Sequence, residues 1–317
     1  MTASTPAAGD GEPELRLTEQ RNPASAEIDR LTPLEIVDLI NAEDAKIAPA
    51  VAAEREKIAR AVEIAEDAFR RGGRLLYVGA GTSGRLGVLD ASEMPPTYGT
   101  DPAMVQGIIA GGFDALLKAA EGAEDYPEHG AQVMDEREVG PEDFVLGIAT
   151  SGTTPYVHGA LERAKERGAR TGLLLCTPPR AEWVENFDVV IAPLVGPEVV
   201  TGSTRMKAGT ATKMVLNTIT TGAMIRLGKV FGNLMVDLRV TNLKLQDRGE
   251  RMLMETLGIS RADATELLAQ AGGSVKTAIA MCITGAGADE ARAQLREVGG
   301  RIGEILARGR TDAGDAS

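Results

Sequence analysis

Residues 75–98 read LLYVGAGTSGRLGVLDASEMPPTY, and the turn within this stretch decides the fold. Its first four residues, Leu75 to Val78, are apolar and typical of a buried strand. They lead directly into Gly79, Gly81 and Gly84, which form a G-x-G-x-x-G pattern, and a helical pattern follows. The stretch therefore predicts a strand that turns tightly into a helix, with glycines that let a ligand approach the backbone.

The same glycine pattern occurs in dinucleotide-binding folds, so the end of the second strand becomes informative. A dinucleotide site places a carboxylate at that strand's tip, about 20 residues further on, to bind a ribose hydroxyl. Here the second strand, near residues 104–110, ends in Ala110, Gly111 and Gly112, with no carboxylate at its tip. A tight strand-to-helix turn that binds nothing is the other interpretation of the glycines.

A second loop of small hydroxylated residues follows a later apolar run, and Pro155 then opens a helix. Free N–H groups and a partial positive charge at helix N-termini favour phosphate, and hydroxyls add short donors. Two such loops at the carboxyl ends of parallel strands favour a small phosphorylated ligand over a dinucleotide, although each hydroxyl could instead cap its helix. The predicted phosphate-binding residues are Thr82, Ser83, Gly84, Ser151, Gly152, Thr153 and Thr154.

Five short apolar runs alternate with helical patterns along the middle of the chain. The runs are RLLYVG, AMVQGIIA, DFVLGIAT, RTGLLLC and DVVIAPL. This alternation predicts an α/β fold in which a parallel sheet is flanked by helices, a Rossmann-like three-layer sandwich. Residues 113–125 read as one of the helices. From residue 205 to about residue 251 the pattern is helical and predicts no further strand.

The two ends of the chain differ from this central pattern. Residues 1–16 and 308–317 are predicted to be disordered tails. Residues 17–54 are predicted to form an N-terminal helical segment, in which Thr32 and Glu35 match a capping box at a helix start.

The remaining divisions follow changes in the pattern. A central α/β domain is predicted over residues 55–228, and a connecting helical segment over 229–258. Three short helical units, each ending in glycine, form a small module over 259–307. This module either packs against the protein or a second copy of it, or covers a site as a lid.

Composition argues against several functional classes. The formal net charge of −12 repels nucleic acid and anionic membranes, and aromatic residues make up only 3% of the chain. Two distant cysteines and two histidines fit neither a zinc site nor a histidine-based triad, so no metal is expected. The N-terminus lacks the features of a signal peptide, and no apolar stretch is long enough to span a membrane. We therefore expect a soluble, cytoplasmic protein without nucleic-acid or membrane partners.

Several long motifs resemble the N-acetylmuramic acid 6-phosphate etherase family, whose central domain is of the sugar isomerase (SIS) type. The resemblance covers about residues 17–305, including the opening TEQRNP and a UBA-like C-terminal module. It implies that residues 55–228 are an SIS phosphosugar-binding domain. The motifs are GAGTSGRLGVLDASEMPPTYG, EGAED, SGTTPYV and VVTGSTRMKAGTATKMVLNTITTGAMIRLGKVFGNLMVDL.

The chain departs from the family pattern at one position of the second loop. The family usually has Arg in an S-G-R-T sequence where this chain has Thr153. An arginine can pair with an oxyanion through two hydrogen bonds, whereas threonine offers one hydroxyl.

The resemblance implies a lyase that cleaves the D-lactyl ether of N-acetylmuramic acid 6-phosphate, by elimination and then hydration, in peptidoglycan recycling. The products are N-acetylglucosamine 6-phosphate and D-lactate. It also implies a homodimer without a cofactor. By resemblance the catalytic carboxylates are Glu93, the proton donor to the departing lactate, and Glu124. A general acid needs burial or a nearby carboxylate to stay protonated, and the neighbouring Met94, Pro95 and Pro96 predict such burial for Glu93.

Other residues have roles that the sequence leaves open. Glu121 is ambiguous, with binding of a sugar hydroxyl as one role. Ser203, Arg205 and Lys207 line the crevice, or else Arg205 and Lys207 hold a dimer together. Lys276, near the start of a helix in the C-terminal module, either reaches a site in a partner subunit or is an exposed helix lysine.

Two rival functions account for parts of the pattern. A non-catalytic sugar-phosphate sensor needs the hydroxyl loops but not both glutamates. A nicotinamide-dependent oxidoreductase needs the dinucleotide interpretation of the glycine turn. The presence of Glu93 and Glu124 in their family motifs favours the enzyme.

Overall fold

A computed structural model describes residues 16–237 and 243–307, so the two predicted tails lie outside the described residues except for residue 16. Within them, a five-stranded parallel sheet has the order β2-β1-β3-β4-β5. The strands are β1 (Leu75–Gly79), β2 (Val105–Ile109), β3 (Phe144–Ile148), β4 (Arg170–Leu174) and β5 (Val189–Ile191). All five predicted strands and the α/β fold class are confirmed.

Helices cover both faces of the sheet. Successive residues of a strand point to opposite faces, so each strand contributes side chains to two separate cores. Leu75 and Tyr77 share one core with helices α2, α3, α4 and α8, while Leu76 and Val78 share another with α5, α6 and α7. This arrangement confirms the three-layer sandwich. The helices are α1 (Pro33–Asp44), α2 (Ile47–Ala53), α3 (Arg55–Arg70), α4 (Gly81–Tyr98), α5 (Pro127–Glu136), α6 (Pro155–Glu166), α7 (Ala181–Asn186) and α8 (Lys207–Arg226).

The N-terminal segment has the predicted capping box at the start of α1. The backbone N–H of Glu35 donates to Thr32 Oγ1 at 3.4 Å, and the N–H of Thr32 donates to Glu35 Oε2 at 2.7 Å. Three short 3-10 turns precede this helix between residues 17 and 30.

A buried ion pair ties this segment to α8. Lys207 Nζ lies 2.5 Å from Glu43 Oε2, and the two side chains are only 2% and 4% exposed. Burial raises the pKa of Glu43, but hydrogen bonds from Lys207, Lys46 and Asn22 outweigh it and lower that pKa to about 2. Glu43 is therefore an ionised carboxylate at neutral pH inside the protein.

The sequence prediction is wrong for residues 113–125, which do not form a helix. A single 3-10 turn over Phe113–Leu116 is followed by an irregular loop. Gly122 within this loop has φ +73°, a left-handed conformation that an α-helix cannot contain. The loop that carries Glu121 and Glu124 therefore projects at the end of β2.

The prediction of no strand between residues 205 and 251 is also wrong. A short antiparallel hairpin pairs β6 (Val230–Phe231) with β7 (Leu234–Met235). Gly232, with φ +57°, supplies the left-handed residue of its turn.

The three predicted helical units of the C-terminal module are confirmed as α10 (Arg261–Gln270), α11 (Val275–Thr284) and α12 (Ala288–Glu297). Ser260 and Ser274 cap the first two of these helices. The preceding helix, α9 (Leu243–Leu257), contributes Met252 and Leu253 to the same core as these helices. Part of the expected connecting segment thus shares the core of the module.

No helix in the described ranges is both long and apolar enough to cross a membrane.

Candidate active site

The two hydroxylated loops lie side by side, because β1 and β3 are neighbours in the sheet. Thr82, Ser83 and Gly84, predicted as a loop, form part of the first turn of α4, and Ser83 Oγ lies 3.5 Å from Thr150 Oγ1 in the loop after β3. Ser151 Oγ lies 3.2 Å from Thr153 Oγ1 within the second loop. The structure therefore brings the predicted phosphate-binding loops together at the carboxyl edge of the sheet, where open α/β folds bind ligands.

Both helices that follow these loops begin without a side-chain cap in the described structure. The N-cap residue of α4 is Ala80, and that of α6 is Thr154, whose hydroxyl makes no capping hydrogen bond. The hydroxyl of Thr154 therefore does not cap α6, although the sequence left this role open. Uncapped helix starts at the crevice are suited to binding an oxyanion.

Two of the predicted glycines are required by close packing. A Cβ atom on Gly84 would lie 2.6 Å from Ile109 Cγ1, so this glycine lets α4 approach the sheet. Gly152 has φ +77°, and a Cβ atom there would lie 2.7 Å from a ring carbon of Trp183. His158 Nε2, at 2.6 Å from the carbonyl oxygen of Gly152, also contacts this turn. These glycines fix the shape of the loops that carry the hydroxyls.

Glu121 and Glu124 line a small cavity of about 140 Å³ together with Gly81, the first residue of α4. The side chains of both glutamates are exposed. The carbonyl oxygen of Glu124 accepts a hydrogen bond from the N–H of Tyr156 at 3.0 Å, which anchors this loop to the first turn of α6. Glu124 is thus held beside both predicted phosphate-binding loops.

Arg85 is a residue of this cavity that the sequence did not single out. Its guanidinium donates to the carbonyl oxygens of Ala115 and Leu116 at 2.6 and 3.0 Å. It also lines the cavity that contains Glu121 and Glu124. Arg85 directly follows Gly84 of the glycine pattern, and this position is the sequence feature that could have identified it.

Glu93 lies away from this cluster within one chain. It follows Ser83 by ten residues of α4, which corresponds to about 15 Å along the helix axis. Its side chain is exposed, on the same helix face as the half-exposed Leu89 four residues earlier. The prediction that its neighbours bury Glu93 is wrong for the single chain, because Met94 faces the core instead.

The helix that carries Glu93 is fixed by a buried polar network around Asp90. Asp90 accepts hydrogen bonds from Tyr77 Oη at 2.9 Å, Asn217 Nδ2 at 2.6 Å and Thr220 Oγ1 at 3.2 Å. Burial raises the pKa of Asp90 and outweighs these donors, which lower it. The network joins α4 to β1 and α8, and therefore sets the direction in which Glu93 is presented.

The residues with open roles occupy different places. Ser203 is half-buried in the loop before α8, and the first turn of this helix packs near Thr82: a Cβ on Gly209 would lie 3.6 Å from Thr82 Cγ2. Arg205 is exposed, whereas Lys207 is buried in its ion pair with Glu43. The roles considered for Lys207, at the crevice or in a dimer contact, do not fit this burial.

Lys276 also has its partners within its own chain. Its amine donates to the carbonyl oxygen of Gly228 at 2.7 Å and lies 3.5 Å from Asp237 Oδ2. Burial lowers the pKa of Lys276. The side chain is 10% exposed and joins the C-terminal module to the hairpin region, which fits neither of the two roles left open by the sequence.

A larger cavity of about 370 Å³ adjoins the second loop. Ser151, Thr153 and Thr177 line it, together with Arg16 and Arg180. Neither arginine was singled out by the sequence, although Arg180 lies in the loop that leaves β4 at the same edge of the sheet.

The hydroxyl side chains and the starts of α4 and α6 meet at one edge of the sheet, and the loop of Glu121 and Glu124 is bonded to the first turn of α6. Uncapped helix starts at such an edge are suited to an oxyanion. Among residues 16–237 and 243–307, no group of three or more His, Cys, Asp or Glu side chains is arranged to hold a metal ion.

Comparisons with known proteins identify the family. An N-acetylmuramic acid 6-phosphate etherase from Rhodopirellula baltica is 54% identical over 290 residues, which cover 92% of this chain and 96% of that relative. Another from Synechococcus elongatus is 56% identical over 286 residues, or 90% and 93% of the two chains. The chain belongs to the N-acetylmuramic acid 6-phosphate etherase family. Its resemblance to this family is thereby confirmed.

A family model agrees with the SIS-type central domain. Residues 56–165 match the model described as the glucokinase regulatory protein N-terminal SIS domain. Among solved structures, a phosphoheptose isomerase from Francisella tularensis superposes with a TM-score of 0.47 at 18% identity, covering 60% of this chain and all of that one. A putative phosphosugar isomerase from Bacteroides fragilis gives a TM-score of 0.46 at 20% identity, covering 60% and 91%.

Proposed function

We propose that this protein is a lyase that cleaves the D-lactyl ether of N-acetylmuramic acid 6-phosphate, releasing D-lactate and N-acetylglucosamine 6-phosphate. The observation that carries the proposal is identity above one half to etherases, along nearly the full length of both chains. The crevice supports it, because the chain places hydroxyl loops and a carboxylate together at one edge of the sheet.

The phosphate of the substrate binds between the two loops. Ser83 and Thr82 contact it from the start of α4, and Ser151, Thr153 and Thr154 from the start of α6. The adjacency of Ser83 and Thr150 and the uncapped start of α6 support this placement. Glu121, which lines the small cavity with Glu124, accepts a hydrogen bond from a sugar hydroxyl.

The reaction is an elimination followed by a hydration. Ring opening exposes the aldehyde, which acidifies the proton on C2. Glu124 removes this proton as the general base, and the electron pair forms the C2–C3 double bond while the C3–O bond to lactate breaks. Glu93 donates a proton to the departing lactate oxygen, and water then adds across the double bond.

We infer that Glu93 acts on a substrate bound to a second subunit. About 15 Å of helix separates Glu93 from Ser83, which is longer than a hexose 6-phosphate measured from its phosphorus to O3. A substrate with its phosphate at Ser83 is therefore out of reach of Glu93 in the same chain. In a homodimer that packs on the exposed face of α4 carrying Leu89, each subunit presents Glu93 to the crevice of its partner and covers it from water.

We place the enzyme in the cytoplasm. Cys176 and Cys282 are both unpaired, which fits a reducing compartment. Burial raises the pKa of Cys176 to about 12, so this thiol stays protonated and unreactive.

The function is tested by incubating the purified protein with N-acetylmuramic acid 6-phosphate and measuring D-lactate. We expect release from the phosphorylated sugar, and a kcat/KM for unphosphorylated N-acetylmuramic acid lower by at least about 100-fold, since several charge-assisted hydrogen bonds are lost. No D-lactate from the phosphorylated sugar would refute the etherase function. Equal turnover of the two sugars would refute the assignment of the hydroxyl loops to phosphate.

The shared site is tested by mixing two inactive variants, Glu93→Gln and Glu124→Gln. If each site takes Glu93 from one subunit and Glu124 from the other, a mixed dimer has one intact site. Random reassortment at equal concentrations should restore about one quarter of the wild-type activity, because half of the dimers are mixed.

The control for this experiment mixes each variant with more of itself through the same cycle of dissociation and reassociation. Size-exclusion chromatography with light scattering checks that dimers are present. A mixture that stays inactive while mixed dimers form would show that both glutamates serve the site of one chain.

A further inference from the structure

Arg180 lies beside the second phosphate-binding loop, in the cavity of about 370 Å³ that Ser151 and Thr153 also line. The chain has a net charge of −12, so a phosphate dianion approaches against the overall field unless a local cation attracts it. The cavity supplies two such cations, Arg16 and Arg180.

Trp183 positions both the loop and this arginine. Its side chain is buried against Gly152, where a Cβ atom would lie 2.7 Å from the ring. The guanidinium carbon of Arg180 lies 5.0 Å from the centre of the same ring, within the range of a cation–π contact. One aromatic ring therefore contacts both the hydroxyl loop and the arginine, whereas Arg16 has no comparable ring contact among the described residues.

The present partner of Arg180 is easily exchanged. Its Nη1 lies 3.3 Å from Glu182 Oε1, and the two side chains are 59% and 60% exposed. An ion pair so exposed to water contributes little to the stability of the protein. A phosphate held by neighbouring hydroxyls offers the guanidinium two oxygens at once, which is the geometry that arginine binds best.

We propose that Arg180 binds the phosphate of the substrate and supplies the positive charge that the hydroxyls of Ser151 and Thr153 lack. The proposal rests on the proposed function, because it takes a phosphosugar as the ligand. The lactyl carboxylate is the other anion of the substrate. The phosphate is favoured because Arg180 shares its cavity with Ser151 and Thr153, the hydroxyls assigned to phosphate.

The test measures binding of N-acetylglucosamine 6-phosphate, which carries the phosphate but no carboxylate, by titration calorimetry. We expect Arg180→Ala to weaken binding by about 10- to 100-fold. Arg180→Lys should weaken it less, because lysine keeps the positive charge but lacks the paired N–H donors of the guanidinium. Arg60→Ala is the matched control, since Arg60 is also a half-exposed arginine paired with a nearby glutamate. It should bind like the wild type.

A compensating change makes the test sharper. Adding Thr153→Arg to Arg180→Ala should restore most of the affinity, because Thr153 lines the same cavity and an arginine there returns the positive charge. A double variant as weak as Arg180→Ala would overturn the equivalence of the two positions. Unchanged affinity in Arg180→Ala, with circular dichroism showing the native fold, would overturn the role of Arg180.

Inhibition by D-lactate separates the two anions. Weakened inhibition by D-lactate in Arg180→Ala, with unchanged binding of the sugar phosphate, would assign Arg180 to the carboxylate and overturn the proposal. Binding of the sugar phosphate needs no turnover. A wild type that binds it through Arg180 but releases no D-lactate would therefore refute the etherase function while supporting this inference.

Discussion

Glu124→Gln should lower the rate of D-lactate release by about 10²–10⁴-fold and should abolish exchange of the C2 proton with solvent deuterium. The carboxamide keeps the shape of glutamate but cannot accept the C2 proton. The loop should keep its place, because its bond to the N–H of Tyr156 is made by the backbone of residue 124 and not by its side chain. Loss of activity would then report chemistry and not a displaced loop.

Glu93→Gln should lose D-lactate release to a similar extent but retain C2 exchange, since proton removal belongs to the other group. Both variants are followed by proton NMR of the substrate in deuterated water. Glu128→Gln, an exposed glutamate at the start of α5, is the matched control and should behave like the wild type. Exchange lost in Glu93→Gln but kept in Glu124→Gln would reverse the two roles, and near-normal lactate release in both would remove these carboxylates from the mechanism.

The sheet and its ligand edge could be predicted because their signals are local. Each strand is a short apolar run, and each hydroxyl loop follows its strand directly, so the carboxyl edge of a parallel sheet brings the loops together. The pairing of Ser83 with Thr150 follows from this topology. The capping box of Thr32 and Glu35 is local in the same sense.

The loop after β2 could not be predicted in the same way. Residues 113–125 carry a helical pattern of alanines and leucines, but Gly122 in a left-handed conformation and the packing of the loop against α6 override that propensity. The place of Glu93 was missed for a different reason. Its motif lies close to the glycine turn in sequence, yet ten residues of helix carry it away from the crevice.

Roles that depend on distant partners were also invisible in the sequence. Lys207 follows a motif rich in small polar residues, and nothing in that motif indicates a carboxylate 164 residues earlier. The same holds for Arg180, whose relation to Thr153 depends on Trp183 packing against Gly152. Such contacts are set by how the helices pack over the sheet, and only the folded chain reveals them.

The burial of Lys207 leads to the second large effect, which is on stability. Glu43→Gln should lower the free energy of unfolding at pH 7 by about 3–5 kcal/mol, because it leaves the ammonium group of Lys207 buried without its carboxylate. Lys207→Met should cost less, since Glu43 keeps its contact with Lys46 at 2.5 Å. Combining the two substitutions should recover part of the loss, as no unpaired charge then remains inside. Urea denaturation of the three variants measures these differences.

The loss of unfolding free energy in Glu43→Gln should also depend on pH in a defined direction. The pKa of Glu43 is lowered from 4.5 to about 2 in the folded protein, so its contribution is complete above pH 4.5 and is lost as the pH falls towards 2. The gap in unfolding free energy between wild type and Glu43→Gln should therefore narrow across that window. Glu63→Gln, which breaks an exposed pair with Arg60, is the control and should cost less than about 1 kcal/mol at every pH. A Glu43→Gln variant as stable as this control would contradict a charged pair at the junction of the N-terminal segment and α8.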